Sequence, residues 1–444
     1  MGGQIKNIEK GEIKLMKSVK EKMGITLISL AVTIILILIL AGVTIDVTLG
    51  ENGILNKSKE AADRMNNLVK EDEAELNELL NELNETMDSN WNSNIEVPGE
   101  NTIPEPDPEL PKIEDITGIQ DETIEVEDEY GNKVTIPKGF EVVEEEGTTV
   151  PEGIVIQDKD KNQFVWIPVG RVYKDSTGTN YSDIQLGRYT FDRTNGTPTP
   201  VQLAYTDAEP TNYIKLQPLL GEDTYYYEYA DRENKDGILS DGVDGLNAIA
   251  KNLAGFVEST KENYGYYLGR YEASYGSGSS VADYKPLSKV SVGNPRVNDD
   301  ASLNIGMLWN FVTQIDAAKI SRNMYNNDSN VGVESDLVNS YAWDTAIIFI
   351  QEMGNNNYSN ATGDMGAVKN TGTNNDEVCN IHDMASNCEE WTTEYSTYKN
   401  TKAYPCSYRG GFCFYNDKYT SYRNDAYSTY KYEFYSFRTL IYIK

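Results

Sequence analysis

The chain has 444 residues, a formal net charge of -31, one histidine, four cysteines and 31 tyrosines. That length leaves room for two or three domains. So negative a surface repels phosphate and excludes nucleic acid as a partner, and a lone histidine excludes multi-histidine metal sites and multi-histidine chemistry. The charge is unevenly placed. Residues 1–24 carry a net +3, residues 25–45 none, residues 46–146 a net -22, and the rest a net -12. In chain order this predicts a basic cytoplasmic leader (1–24), a transmembrane helix (25–45) and a polar amphipathic helix (46–88). An acidic Pro-rich linker (89–122), a short β-hairpin region (123–146) and an α+β domain with long loops (147–444) follow.

Ile25 to Ile45 is uncharged throughout. At ~1.5 Å per residue it reaches about 31 Å, close to the hydrocarbon thickness of a bilayer. Lys6, Lys10, Lys14, Lys17, Lys20 and Lys22 precede it. The positive-inside rule therefore keeps the N-terminus cytoplasmic and sends everything after Asp46 outside. A cleaved secretory signal peptide is the rival reading, but no A-x-A site follows the apolar run. Beyond it, Ile54, Ala61, Met65, Leu68, Leu76, Leu79, Leu80 and Leu83 fall near helical spacing. That stripe suits either a partner helix or the protein's own globule. Residues 98–112 then hold five of the chain's 15 prolines. Proline fixes φ and removes a backbone donor, so this stretch is an extended spacer.

The junction Lys22-Met23-Gly24-Ile25-Thr26-Leu27-Ile28 resembles the leader junction of type IV prepilins and pseudopilins. The resemblance implies a prepilin peptidase that cuts after Gly24, leaving Ile25 as the new N-terminus and the apolar helix as anchor. It also implies other pilin-like subunits as partners. The family usually places Glu at the fifth mature position, where it neutralises a neighbouring subunit's terminal amine. Here that residue is Ser29.

From Ile124 the texture changes to short alternating runs. Residues 123–137 predict a hairpin turning at Gly131-Asn132. Ile154, Ile156, Phe164, Trp166 and Ile167 predict two strands around the turn DKDKN. Further strands are expected at 266–274, 412–415 and 439–442, with helices at 246–263, 313–325 and 342–353. Mixed strands and helices with long polar loops make this part α+β.

The segments FVWIPVG, YYLGRYEASY, VNSYAWDTAIIFIQ, NIHDMASNCEEW, YRGGF and SFRTLIYI occur in this order. As a set they resemble the formylglycine-generating-enzyme (sulfatase-modifying-factor) family, which implies a C-type-lectin-like fold over 147–444. Asn380 to Trp391 looks like the family's N-x-x-D-M-x-G-N-x-x-E-W, with Ser386 in place of a Gly. The resemblance makes His382 a packing residue and Asn387, Glu390 and Trp391 structural. It also puts Asp383 and Glu390 where some members ligate a structural calcium, which oxygen ligands suit. The family's oxidase binds copper through two cysteines shortly after the Gly-Gly. Counted from Gly410-Gly411, those positions hold Tyr415 and Thr420, which cannot supply thiolates, so the expectation is a protein that is not an enzyme. A formylglycine-generating-type oxidase remains the remote alternative. Cys379, Cys388, Cys406 and Cys413 form an even set outside the membrane and are candidates for disulfides of undetermined connectivity, or for free buried thiols.

Residues 404–438 contain nine tyrosines interleaved with Asn, Asp, Ser and Thr. Tyr offers a large, stiff contact area with a polar tip, and Ser and Asn add adaptable hydrogen bonding. Candidate ligand-binding residues are Tyr415, Asn416, Asp417, Tyr419, Tyr422, Arg423, Asn424, Tyr427, Tyr430 and Tyr432. The alternative is tyrosine packed on half-exposed strands and loops. The leading expectation is a single-pass, membrane-anchored binding protein, an adhesin or receptor, that meets a glycan or protein outside the cell. A minor pilin or pseudopilin is the alternative.

Overall fold

The alternating stretch TIEVEDEYGNKVTIP folds into an antiparallel hairpin, Ile124–Glu127 on Lys133–Ile136, with Ile124 opposite Ile136. Asp128 closes its turn by accepting from the Tyr130 and Asn132 amides at 2.9 and 2.8 Å. Val126, Val134 and Ile136 are buried in the same core as the strands that follow. The computed structural model describes residues 110–204, 226–228, 247–363, 365–396, 403–415 and 417–444. These belong to one unit, Glu105–Lys444. The predicted leader, span and polar helix, with Gly24 and Ile25, lie outside the described residues. No helix among the described residues is long and apolar enough to cross a membrane. Within the expected linker, Ile113 is already buried and the Glu127 amide donates to Pro111 O at 3.0 Å. The packed region therefore begins before residue 123.

The described fold is mostly sheet with few helices. The strands that organise it are β1 (Phe140–Val142), β2 (Val155–Asp158), β3 (Gln163–Pro168), β4 (Tyr226–Tyr227), β5 (Gly265–Gly269), β6 (Val333–Leu337), β7 (Glu389–Ser396), β8 (Cys406–Arg409), β9 (Arg423–Ala426), β10 (Tyr435–Phe437) and β11 (Thr439–Ile443). The first sheet has the order β6-β11-β5-β3-β2-β1 and is antiparallel throughout. The second has the order β4-β7-β8-β9, with β10 running parallel beside β7. The last strand thus lies inside the first sheet. All five of its residues are buried, as the apolar run Leu440–Ile443 requires.

Among the described residues the α-helices are α1 (Leu253–Glu262), α2 (Gln314–Asn323) and α3 (Ser340–Glu352). Each starts at a side-chain cap: Asn252 accepts from Gly255 N, Thr313 from Asp316 N and Asn339 from Ala342 N. α1 begins seven residues later than the start of the predicted 246–263 helix. Almost all of α3 is buried, including Trp343, Phe349 and Ile350. A fully buried side chain of this kind contributes roughly 1.5–3 kcal/mol. The expected strand at 412–415 is instead a turn. Pairing with β7 and β9 ends at Arg409, and Gly410 then takes a φ of +94° that leaves the sheet.

Candidate functional site

The second sheet has two unlike faces. Successive strand residues point to opposite sides. In β8, Cys406 and Tyr408 join Trp391, Tyr435 and Phe437 in an aromatic cluster. Arg409 turns the other way, toward α3. In β9, Ala426 joins the aromatic side while Arg423 turns to the opposite side.

The inner side holds a buried ion cluster. Arg409 reaches Asp344 at 2.5 Å, and Arg423 bridges Asp344 at 3.1 Å and Glu394 at 2.9 Å. Arg188 meets Glu394 at 2.7 Å. Burial alone would raise the Glu394 carboxyl; the guanidinium groups of Arg423, Arg188 and Arg409 outweigh it and hold the group down at about 2. Burial and the Glu394 charge together push Glu228 up to about 7, against a hydrogen bond from Thr393. Arg423 is 7% exposed. This corrects its expected role at a ligand face: it is structural.

The outer side carries the tyrosines. Ring centroids run in unbroken contact from Tyr404 to Tyr427 (4.3 Å), Tyr430 (4.8 Å), Tyr432 (5.2 Å), Phe434 (5.5 Å), Phe412 (4.9 Å) and Tyr415 (5.4 Å). Tyr432 and Phe434 stack at an interplanar angle of 14°. An inner branch joins Tyr435 to Tyr408 (5.1 Å) and to Trp391 (4.6 Å). The rim stays open: Tyr415 is 61%, Tyr432 44% and Tyr427 37% exposed. Asp417 is also exposed. Asn424 donates to the Tyr408 hydroxyl at 2.8 Å. Tyr419 and Tyr422 form a separate pair at 5.4 Å, with the Arg193 guanidinium over the Tyr419 ring. The structure thus brings Tyr415, Tyr427, Tyr430 and Tyr432 into one band and buries Arg423 behind it. Asn416 lies outside the described residues.

The expected calcium ligands do not converge as an open site. Both oxygens of Asp383 accept from protein: Oδ2 from Thr371 Oγ1 (2.7 Å) and Gly372 N (2.8 Å), Oδ1 from Asn374 Nδ2 (2.7 Å). Glu390 is held at both oxygens by Arg438, at 2.6 and 3.1 Å. Among the described residues no group of three or more His, Cys, Asp or Glu is placed to hold a metal ion. The candidate disulfides are not formed by Cys379, Cys388, Cys406 and Cys413. Cys379 packs against the first core and Cys406 lies within the second. Cys388 and Cys413 are drawn together by the Cys413 amide, which donates to Asn387 O at 3.1 Å. Burial raises every thiol, Cys379 and Cys413 to about 12, which leaves them protonated at neutral pH. His382 is buried and stacks on Tyr271 at 4.7 Å.

Sequence reasoning missed Glu389, Lys418, Tyr408 and Tyr435 as members of the outer face. One signal was present. In the doublet Glu389-Glu390 at the head of a strand, the two carboxyls must take opposite faces, and only Glu390 has Arg438. No family model, no curated protein and no solved structure matches the chain.

Proposed function

We propose that this chain is a membrane-anchored, non-catalytic binding protein that recognises an extracellular glycan or protein through its tyrosine face. The observation that carries the reading is the unbroken aromatic band between Tyr404 and Tyr415, whose rim stays exposed at Tyr415, Tyr427 and Tyr432. Stiff rings with polar tips are the side chains that recognition surfaces favour. The anchor is residues 25–45, a single pass at the cell membrane processed by a prepilin peptidase after Gly24. The acidic stalk lies within residues 46–109, ahead of the packed region that Pro111 and Ile113 open. The domain has a C-type-lectin-like fold of the formylglycine-generating-enzyme kind, a reading supported by the ordered set of segments from FVWIPVG to SFRTLIYI and by the mixture of antiparallel sheet with a few helices. The non-catalytic reading rests on exposed Tyr415 and buried Thr420 at the positions of the family's copper-binding cysteines. The prepilin-like junction supports a second reading as a minor pilin, against which Ser29 replaces the acid that subunit assembly uses.

The test replaces Tyr415, Tyr427 and Tyr432 together with Ala in the full chain and screens both proteins against glycan arrays and purified surface proteins. Truncating an aromatic anchor costs about 2 kcal/mol or more. Affinity for the ligand should therefore fall at least about 100-fold, with the thermal midpoint little changed. Equal binding of every ligand by the variant contradicts the assignment.

A further inference from the structure

Two loops, 290–307 and 365–371, carry a concentration of open aliphatic residues. Six large aliphatic side chains stay exposed among the described residues, and five of them are here: Val290, Val292, Val297, Ile305 and Met365. Their exposure runs from 46% at Val290 to 76% at Val297. The backbone beneath them is held by bonds that use none of these side chains. Val292 N donates to Gly306 O at 2.8 Å, Gly306 N to Tyr275 O at 2.7 Å and Gly366 N to Cys413 O at 2.7 Å. The loops are also tied to each other: Asn370 Nδ2 donates to Gly293 O at 2.6 Å and Thr371 N to Ser291 Oγ at 3.0 Å. Four of the five side chains are β-branched and have little rotamer freedom to lose on contact. The surface is therefore pre-organised, which lowers the entropy cost of docking. It lies beside the tyrosine band, where Asn310 Nδ2 donates to Glu433 O at 2.9 Å and Phe311 N to Tyr432 O at 3.1 Å.

We propose that this surface docks a second copy of the chain, in a pair that places the same two loops of each copy against those of the other. Size supports this occupant. The five side chains expose on the order of 500 Å², within the range at which an apolar patch on a monomer is often functional. Homodimer interfaces are about 65% apolar. An apolar share of that size therefore belongs to an interface of about 800 Å² per copy, the standard area of a stable pair. Charge supports it too. Residues 147–444 carry a net -12, so two copies repel over most of their surface. On these loops and at their edge the exposed charges have both signs: Asp299 and Asp300 stand against Lys369 and Lys431, with Asp299 and Lys431 already paired at 2.5 Å. The patch can meet its own copy without facing like charge with like. An anionic bilayer would instead require a cluster of basic residues around the apolar ones, and a sugar would find no aromatic ring among these five side chains to stack on.

The experiment is sedimentation velocity on the full chain in detergent, with micelles in roughly tenfold excess so that chains do not share one by chance. At about 50 µM, above the micromolar range in which the weakest interfaces of this size dissociate, the wild type should run as a dimer. V292D/I305D places like charges across the contact and should weaken the pair at least about 100-fold. V292K/I305K alone should do the same, while an equal mixture of the two double variants should pair again. Both positions are exposed, so the thermal midpoint should hold in each variant. Y181D is the control: Tyr181 is an exposed apolar residue on the hairpin of Gly170–Tyr173 with Tyr181–Ile184, and this variant should dimerise like the wild type. A wild type that stays monomeric overturns the proposal. A dimer that survives V292D/I305D also overturns it and puts the contact elsewhere in the chain. Loss of pairing that the mixed variants do not restore, or equal loss in Y181D, removes the assignment to these loops.

Discussion

Glu394→Gln is expected to destabilise the domain by about 3–5 kcal/mol, the cost of leaving buried charges without their partner. Glu394 is inaccessible and is shared by Arg188 at 2.7 Å and Arg423 at 2.9 Å, with Arg409 at 3.6 Å. The amide keeps the shape but supplies no charge. Arg409 and Arg423 would keep Asp344, while Arg188 would lose its contact with the Glu394 carboxylate. Glu228 offers partial compensation. Loss of the Glu394 charge lets its carboxyl ionise more readily, which places the loss toward the lower end of the range at pH above 7. The pH dependence has a definite sign. The folded carboxyl, at about 2, lies below the ordinary value of 4.5. The stability it contributes is full above the unfolded value and is lost as pH falls from about 4.5 toward about 2. Urea unfolding at pH 7 and pH 3 should show the wild type losing this share on acidification, while the variant lacks it at both. Equal stability of the two proteins at pH 7 would contradict the cluster as described.

Gly411→Ala is expected to cost at least about 3 kcal/mol, at the upper end for overpacking. The new Cβ would stand 1.7 Å from Ala385 O and 2.0 Å from Ala385 C. Both are backbone atoms, so no rotamer change relieves the clash. The contact is also pinned, because Gly411 N donates to Met384 O at 3.1 Å and Ala385 O accepts from Gly363 N at 2.6 Å. The strand-to-turn corner at Gly410-Gly411 therefore exists to let two loops touch through their backbones. It aims residues 412–415, and with them the Tyr415 end of the aromatic band. Gly170→Ala is the control. Its φ is +114° but nothing lies within 4 Å of the added Cβ, so it carries only the backbone strain of a positive φ, about 1–2 kcal/mol. Thermal unfolding should separate the two variants clearly; similar midpoints would overturn the close-approach account.

Local pattern made much of the scaffold legible. The hairpin at 124–136, the β2–β3 pair, β11 and helices α2 and α3 each announce themselves through alternation, an apolar run or a cap. The tyrosine band was legible as a cluster of one residue type between 404 and 438. Its inner polar side was not, because Glu389 and Lys418 become neighbours only when the start of β7 and the turn at Asp417–Lys418 come together. The ion cluster was hidden for the same reason: Arg188 and Asp344 lie far along the chain from Glu394, Arg409 and Arg423. Arg423 shows why composition alone misleads. Its neighbours Tyr422 and Asn424 lie toward the aromatic side, and one residue of strand turns it into the interior. The cysteines share a short stretch of sequence, yet Cys379 and Cys406 belong to different cores.

The central claim, that the tyrosine face is where the ligand sits, is tested most directly by hydrogen exchange on the full chain with and without its ligand. The account predicts slowed exchange confined to 404–438 and the start of β7 around Glu389. Protection located instead along α1 and its neighbour Glu334, or in the loops around Asp121 and Asp160, with 404–438 unchanged, would contradict it.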